Sequence, residues 1–182
     1  MAGLILYDTS PVTGQEFWNQ ALARLGRFPR RHPGQPEAAG IAEAFDQTLA
    51  ATDNESCTRS LRTVPPAYFA DYWANEHELA PLRAYLRAWV DPMRAAEPPF
   101  DVRDSLGEIS TPTLIISGMH DFICGPRWGR MLHEGIPGSR FLLLEDSGHM
   151  GHLEQPDLFA SAITRFTREG ATRPLPHRRA EP

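Results

Sequence analysis

The chain has 182 residues, 41% of them hydrophobic, and a formal net charge of −5. That length supports one domain with a buried core, and no apolar run reaches the roughly 20 residues a membrane helix needs. There is no lysine, and apart from Arg30-Arg31 and Arg178-Arg179 the arginines are scattered, which excludes the basic face of a nucleic-acid binder.

Gly3-Leu4-Ile5-Leu6-Tyr7-Asp8 is apolar on both faces and cut off by Thr9-Ser10-Pro11. That is the pattern of a buried parallel strand. The start, MAGLILYDTSP, has no basic segment and does not read as a secretory signal. Cys57 and Cys124 are too few for a disulfide framework and read as reduced thiols of a cytoplasmic protein.

Residues 12–100 have a helical pattern. Thr13 with Glu16 three residues later has the form of a capping box, and Phe17, Trp18, Ala21, Leu22 and Leu25 then share a helix face. Ile41, Phe45, Thr48 and Leu49 mark a second helix over 36–51. Leu82, Tyr85, Leu86, Trp89 and Val90 make an i, i+3, i+4, i+7, i+8 stripe that predicts a third over 81–91. Proline-rich breaks at 29–36, 64–66 and 98–99 separate them.

From residue 101 the pattern alternates. Thr111 to Gly118 is a second strand, residues 127–134 a helix, Arg140 to Glu145 a third strand, and residues 156–168 a helix started by Pro156 and stopped by Gly170. Alternation of this kind predicts a parallel sheet covered by helices. The domain order expected is thus a core strand (1–11), a helical cap (12–100), a C-terminal α/β core (101–170) and a polar, proline-rich disordered tail (171–182).

In open parallel sheets, chemistry collects beyond the carboxyl ends of the strands. Three such ends carry Asp8-Thr9-Ser10, Gly118-Met119-His120-Asp121 and Asp146-Ser147-Gly148-His149. A buried acid that accepts the imidazole Nδ1 proton leaves Nε2 free as a base, and Asp121 with His149 fits those roles. Asp8, also at a strand end, is the competing acid, or else caps the turn that follows it. His152 and Glu154 with Asp146 could suggest a metal site, but catalytic zinc helices space their histidines more widely. No metal or other cofactor is expected. Cys57, in the helical region, and Cys124, a small thiol near the strand ends, are not read as nucleophiles.

The segment from Ile109 to Phe166 resembles the C-terminal part of an α/β-hydrolase. The resemblance rests on the strand-Gly-x-x-Asp element at Asp121, the Ile136-Pro137-Gly138-Ser139 turn, and Ser147-Gly148-His149 followed by Glu154-Gln155-Pro156. It extends more weakly over residues 3–168 and is nearest to the proline iminopeptidase-like branch. It implies that Asp121 is the triad acid and His149 the triad base, although some hydrolases carry the acid at the position of Asp8. It also implies serine hydrolysis of small ester, amide or N-terminal prolyl peptide substrates, with no nucleic-acid or membrane partner.

The family's nucleophile motif, Gly-x-Ser-x-Gly, is absent from the chain. Ser117, inside a strand, and Ser147, on the histidine turn, lack its elbow. The expectation is therefore a gene product truncated or started late, inactive alone, or a half that pairs with a separate N-terminal half. An aminopeptidase also needs carboxylates and aromatic walls for its substrate, and Trp73, Glu76 and Glu78 are the candidate contacts.

Overall fold

The computed structural model describes residues 3–91 and 98–172. Three parallel strands form a sheet in the order β1 (Leu4–Tyr7), β2 (Thr113–Gly118), β3 (Arg140–Leu144). Strands β2 and β3 end opposite each other at Gly118 and Leu144, and β1 ends two residues earlier, with Tyr7 opposite Ile116. Strand β2, flanked on both sides, is buried at every position, which is why its sequence is apolar without alternation.

One face of the sheet is covered by α6 (Pro126–Gly135), where Leu132 and Ile136 pack on Ile115 and Leu106. The other is covered by α8 (Pro156–Thr172), where Phe166 packs on Leu114, Ile116 and Leu144. Gly170 does not stop α8, which runs two residues further. Of the expected tail, residues 171 and 172 are therefore helical, and 173–182 lie outside the described residues.

Between β1 and β2 the chain forms α1 (Gln15–Leu25), α2 (Phe28–Arg31), α3 (Ile41–Ala50), α4 (Asn54–Leu61) and α5 (Glu76–Tyr85), with a 3-10 turn over Pro36–Gly40. Ala21, Leu25, Phe28, Ile41, Phe45 and Val64 close a second core among them. Phe122, from the turn after β2, inserts into that core and couples it to the sheet.

Two local expectations are corrected, and one helix was not anticipated. The Thr13–Glu16 capping box does not form: Gly14 stands at the cap position of α1 with φ +86°. Thr13 Oγ1 instead accepts the Phe100 N–H at 2.9 Å, and the Glu16 carboxylate pairs with Arg103 and Arg127. The helix predicted over 81–91 is α5, which begins earlier and stops at Tyr85; Leu82, Tyr85 and Trp89 of its stripe are exposed. The chain stops coiling because α4 supplies the partners its backbone needs. Arg62 Nε donates to Leu86 O, Thr58 Oγ1 accepts Ala88 N–H at 2.9 Å, and Asn54 Oδ1 accepts Val90 N–H at 2.7 Å. Helix α4 itself escaped the apolar pattern because Cys57 is its one buried residue. Its signal is Asp53, whose carboxylate accepts the Ser56 N–H at 2.8 Å as an N-cap.

Trp128, fully buried among Val12, Phe17 and Cys124, joins α6 to the inserted helices. Trp128→Ala is expected to cost about 3–5 kcal/mol in chemical denaturation. Trp89→Ala, at a residue 82% exposed, should change stability by no more than about 0.5 kcal/mol.

Candidate active site

The carboxyl ends of the three adjacent strands bring Asp8, Asp121 and His149 together. Asp121 is completely buried. Its Oδ1 accepts the N–H groups of Ile123 at 2.8 Å and Cys124 at 3.0 Å, an Asx-type turn that locks the carboxylate. Its Oδ2 lies 2.8 Å from His149 Nδ1. A carboxylate there keeps the ring proton on Nδ1, so Nε2 carries a lone pair. Among the described residues nothing is hydrogen-bonded to Nε2, and the ring retains 27% exposure. Burial works against a charge on His149, but the hydrogen bond and charge of Asp121, helped by Asp8, prevail and raise its pKa.

The loop bearing His149 is fastened from several sides. Its own N–H donates to Tyr68 O at 2.7 Å, and the Tyr68 ring lies 5.6 Å from the imidazole. The Tyr7 hydroxyl donates to His149 O at 3.1 Å. Short helix α7 (Gly151–Glu154) follows, and its Glu154 spans two layers: Oε1 accepts Ala70 N–H at 2.6 Å and Oε2 accepts Gly148 N–H at 2.7 Å. Gly148 and Gly118 are required by close approach. A Cβ on Gly148 would overlap the backbone of Tyr68 and Phe69, and one on Gly118 would meet the Gly148 carbonyl.

The other sequence candidates are distributed differently. Ser147 is buried and donates to Gln155 Oε1 at 2.9 Å; Ser117 is buried in β2. Cys57 is buried beside Thr48, and Cys124 has its thiol pKa pushed up by burial and by Asp121 and Asp8, so it stays protonated. His152 Nδ1 faces the Tyr7 hydroxyl at 3.2 Å while Glu154 holds backbone N–H groups, so these two do not converge with Asp146 as metal ligands. Trp73 packs on His32, Phe28 and Tyr72, and Glu76 and Glu78 are exposed in the first turn of α5. Ala70, Asp71, Asn75, His120, Asp146 and Glu154 line a cleft of about 300 Å³, and neither those three residues nor Asp121 and His149 are part of its lining.

Sequence reasoning missed Tyr7, Tyr68 and the bridging role of Glu154. Glu154 was visible as part of the Glu-Gln-Pro motif and as a candidate metal ligand, not as a bridge. Tyr7 looked like the last apolar residue of a strand, and no local pattern reveals a contact 142 residues away.

Asp8 ends β1 at φ +42° and is buried. Its Oδ1 accepts the Gly118 N–H at 3.1 Å, and its Oδ2 is buried without a partner. One ligand atom from each of Asp8, Asp121 and His149 lies within 4.8 Å of the others, the one such group among the described residues. The Nδ1–H bond already occupies Asp121 and His149, so we read the group as a proton network.

A strand, turn and helix pattern ending in a buried acid and a histidine is that of an α/β-hydrolase, and the comparisons with known proteins agree. The profile described as "Alpha/beta hydrolase family" matches residues 1–162. The chain belongs to the α/β-hydrolase family. It is 25% identical to the putative carbamate hydrolase RutD of Agrobacterium fabrum over 130 residues, 67% of this chain and 50% of that protein. It is 31% identical to the proline iminopeptidase of Lactobacillus crispatus over 67 residues, 37% of this chain and 22% of that one. An esterase of Rhodococcus sp. has the same fold, with a TM-score of 0.64 at 17% identity over 92% of this chain and 56% of its own. The chain therefore spans about half the length of the relatives it matches, or less.

Burial and the charge of Asp121 push the Asp8 carboxyl up to about 7 from an ordinary 3.8. The unfolded chain loses this proton near pH 4 and the folded chain near pH 7. Asp8 therefore supports the fold fully below pH 4, and that support is lost as pH rises to 7. Asp8→Asn should leave the midpoint of thermal unfolding unchanged at pH 4 and raise it at pH 8. The gain there is expected to reach at most about 4 kcal/mol, three pKa units' worth.

Proposed function

We propose that this chain supplies the acid–base half of a serine-hydrolase active site, with His149 as general base and Asp121 as the acid that orients it. The observation that carries this reading is the 2.8 Å bond from His149 Nδ1 to a fully buried, doubly anchored carboxylate, with Nε2 left unoccupied. In the reaction Nε2 would take the proton of a serine hydroxyl as its oxygen attacks a carbonyl carbon, then give that proton to the leaving alcohol or amine. The Asp121 charge would stabilise the imidazolium between the two steps, and water would release the acyl group by the reverse sequence.

Among the described residues no serine, threonine or cysteine reaches Nε2. The nucleophile and the oxyanion donors would come from a strand–turn–helix that pairs with the other side of β1, which among the described residues has β2 as its one strand partner. The edge carries Leu4 to Tyr7 and exposes Ile5, and an unpaired apolar edge is a template for another strand. Whether that segment belongs to the same polypeptide or to a separate half, the present residues alone are expected to be inactive. Residues 12–100 would act as the cap over the site, and the cytoplasm would be its compartment.

Substrates are small carbonyl compounds: esters, amides or carbamates. The likeness to a carbamate hydrolase and to a proline iminopeptidase supports that class. The N-terminal prolyl peptide reading, with Trp73, Glu76 and Glu78 as contacts, is favoured less, because Trp73 is packed on Phe28, His32 and Tyr72 and the likeness to the proline iminopeptidase covers 37% of this chain.

The test is reconstitution. Co-expression with a half carrying a Gly-x-Ser-x-Gly elbow should restore hydrolysis of p-nitrophenyl acetate, and His149→Ala should lower its kcat at least about 10³-fold. Turnover by the isolated chain that disappears in His149→Ala would overturn the assignment of the nucleophile to another segment.

A further inference from the structure

The mechanism above leaves Asp8 unused, although it is a buried carboxyl beside the dyad. Its placement is strained: φ is +42°, a region that non-glycine residues seldom occupy. That backbone turn and the Gly118 N–H on Oδ1 aim the carboxyl across the strand ends. Oδ2 is buried with no partner, which is unfavourable for a group with no task. The bond from the Gly118 N–H needs only an acceptor, which an uncharged asparagine would supply as well.

We propose that Asp8 is a positioning residue that shares the imidazole of His149 with Asp121, so that two carboxyl groups, one from the end of β1 and one from the turn after β2, set the basicity of one histidine. The proposal rests on the reading of His149 as the base. Asp8 is faced by Asp121 after β2, His149 after β3, Cys124 before α6 and Tyr7 on its own strand. Burial and neighbouring negative charge push the Tyr7 phenol and the Cys124 thiol upward, so both stay neutral. Only Asp121 and His149 exchange charge with Asp8. Asp121 disfavours the Asp8 carboxylate and His149 favours it, while the Asp8 charge favours the imidazolium, so the titrations of Asp8 and His149 are coupled. A proton arriving on His149 makes Asp8 easier to ionise, and the added negative charge then stabilises the imidazolium. Asp8 would thus strengthen the base when the imidazole becomes charged without holding a second full charge against Asp121 beforehand.

The experiment is an NMR titration of the His149 ring in the full 182-residue chain, wild type, Asp8→Asn, Asp121→Asn and the double variant. Asparagine is isosteric, tolerates positive φ, and can still accept the Gly118 N–H. A full Asp8 charge about 5 Å away is worth about 0.6 pH unit at water-like screening, so Asp8→Asn should lower the His149 midpoint by a resolvable fraction of that. The double variant should titrate below Asp121→Asn alone. If Asp121→Asn lowers the midpoint and Asp8→Asn does not, the sharing by Asp8 is overturned while the dyad stands. If Asp121→Asn leaves it unmoved, the dyad reading itself falls. The ¹³Cγ resonance of Asp8 in the unmutated chain gives a check free of any folding defect. A midpoint near neutrality is expected, and a single transition below pH 5 would overturn the proposal.

Discussion

Everything around the site depends on the burial of one charge. The carboxylate of Asp121 sits at zero exposure, and an unpaired charge there would not be tolerated. Two backbone N–H groups from its own turn and the imidazole of His149 satisfy it. Each partner is drawn from a fixed element, so the turn after β2 and the loop after β3 can occupy only one relation. The Gly148 carbonyl against Gly118 and the His120 N–H on Ser147 O, at 2.9 Å, are the backbone expression of that closeness.

The inserted helices are held to the same point. Glu154 joins Ala70 to Gly148 with its two oxygens, Tyr68 receives the His149 N–H, and Arg24 Nη2 donates to Met119 O at 2.8 Å. Phe122 fills the core of the insertion from the turn that bears Asp121. Through these contacts, a helical layer with its own apolar core is registered on the strand ends. The imidazole is thereby walled by Tyr68 on one side, with Nε2 left open. This arrangement holds the imidazole with little freedom to rearrange, which is what the proposed role of general base would require.

Much of the fold was legible in the sequence. The three strands are runs whose burial on both faces removes alternation, and the helices α1, α3, α6 and α8 carry apolar faces of helical period. Asp121 and His149 could be named because strand ends are where open parallel sheets gather their chemistry. Local pattern failed where competition decided the outcome. Thr13 found Phe100 rather than its own helix, and the backbone of residues 86–90 found α4 rather than itself. The apolar stripe from Leu82 to Trp89 then has no core to face, and its largest members lie exposed.

What the sequence determined by itself was the class of architecture and the set of strand-end residues, Asp8, Asp121 and His149, that could meet, because periodicity and strand-end position are local properties of the chain. What only the tertiary structure decided was which acid takes the Nδ1 proton. Asp8 and Asp121 both end strands, and both are buried. Asp121 wins because its turn supplies two N–H groups that sustain a full carboxylate, whereas Asp8 has one N–H and an oxygen without a partner. That difference lies in how three loops meet in space, and no spacing along the chain encodes it.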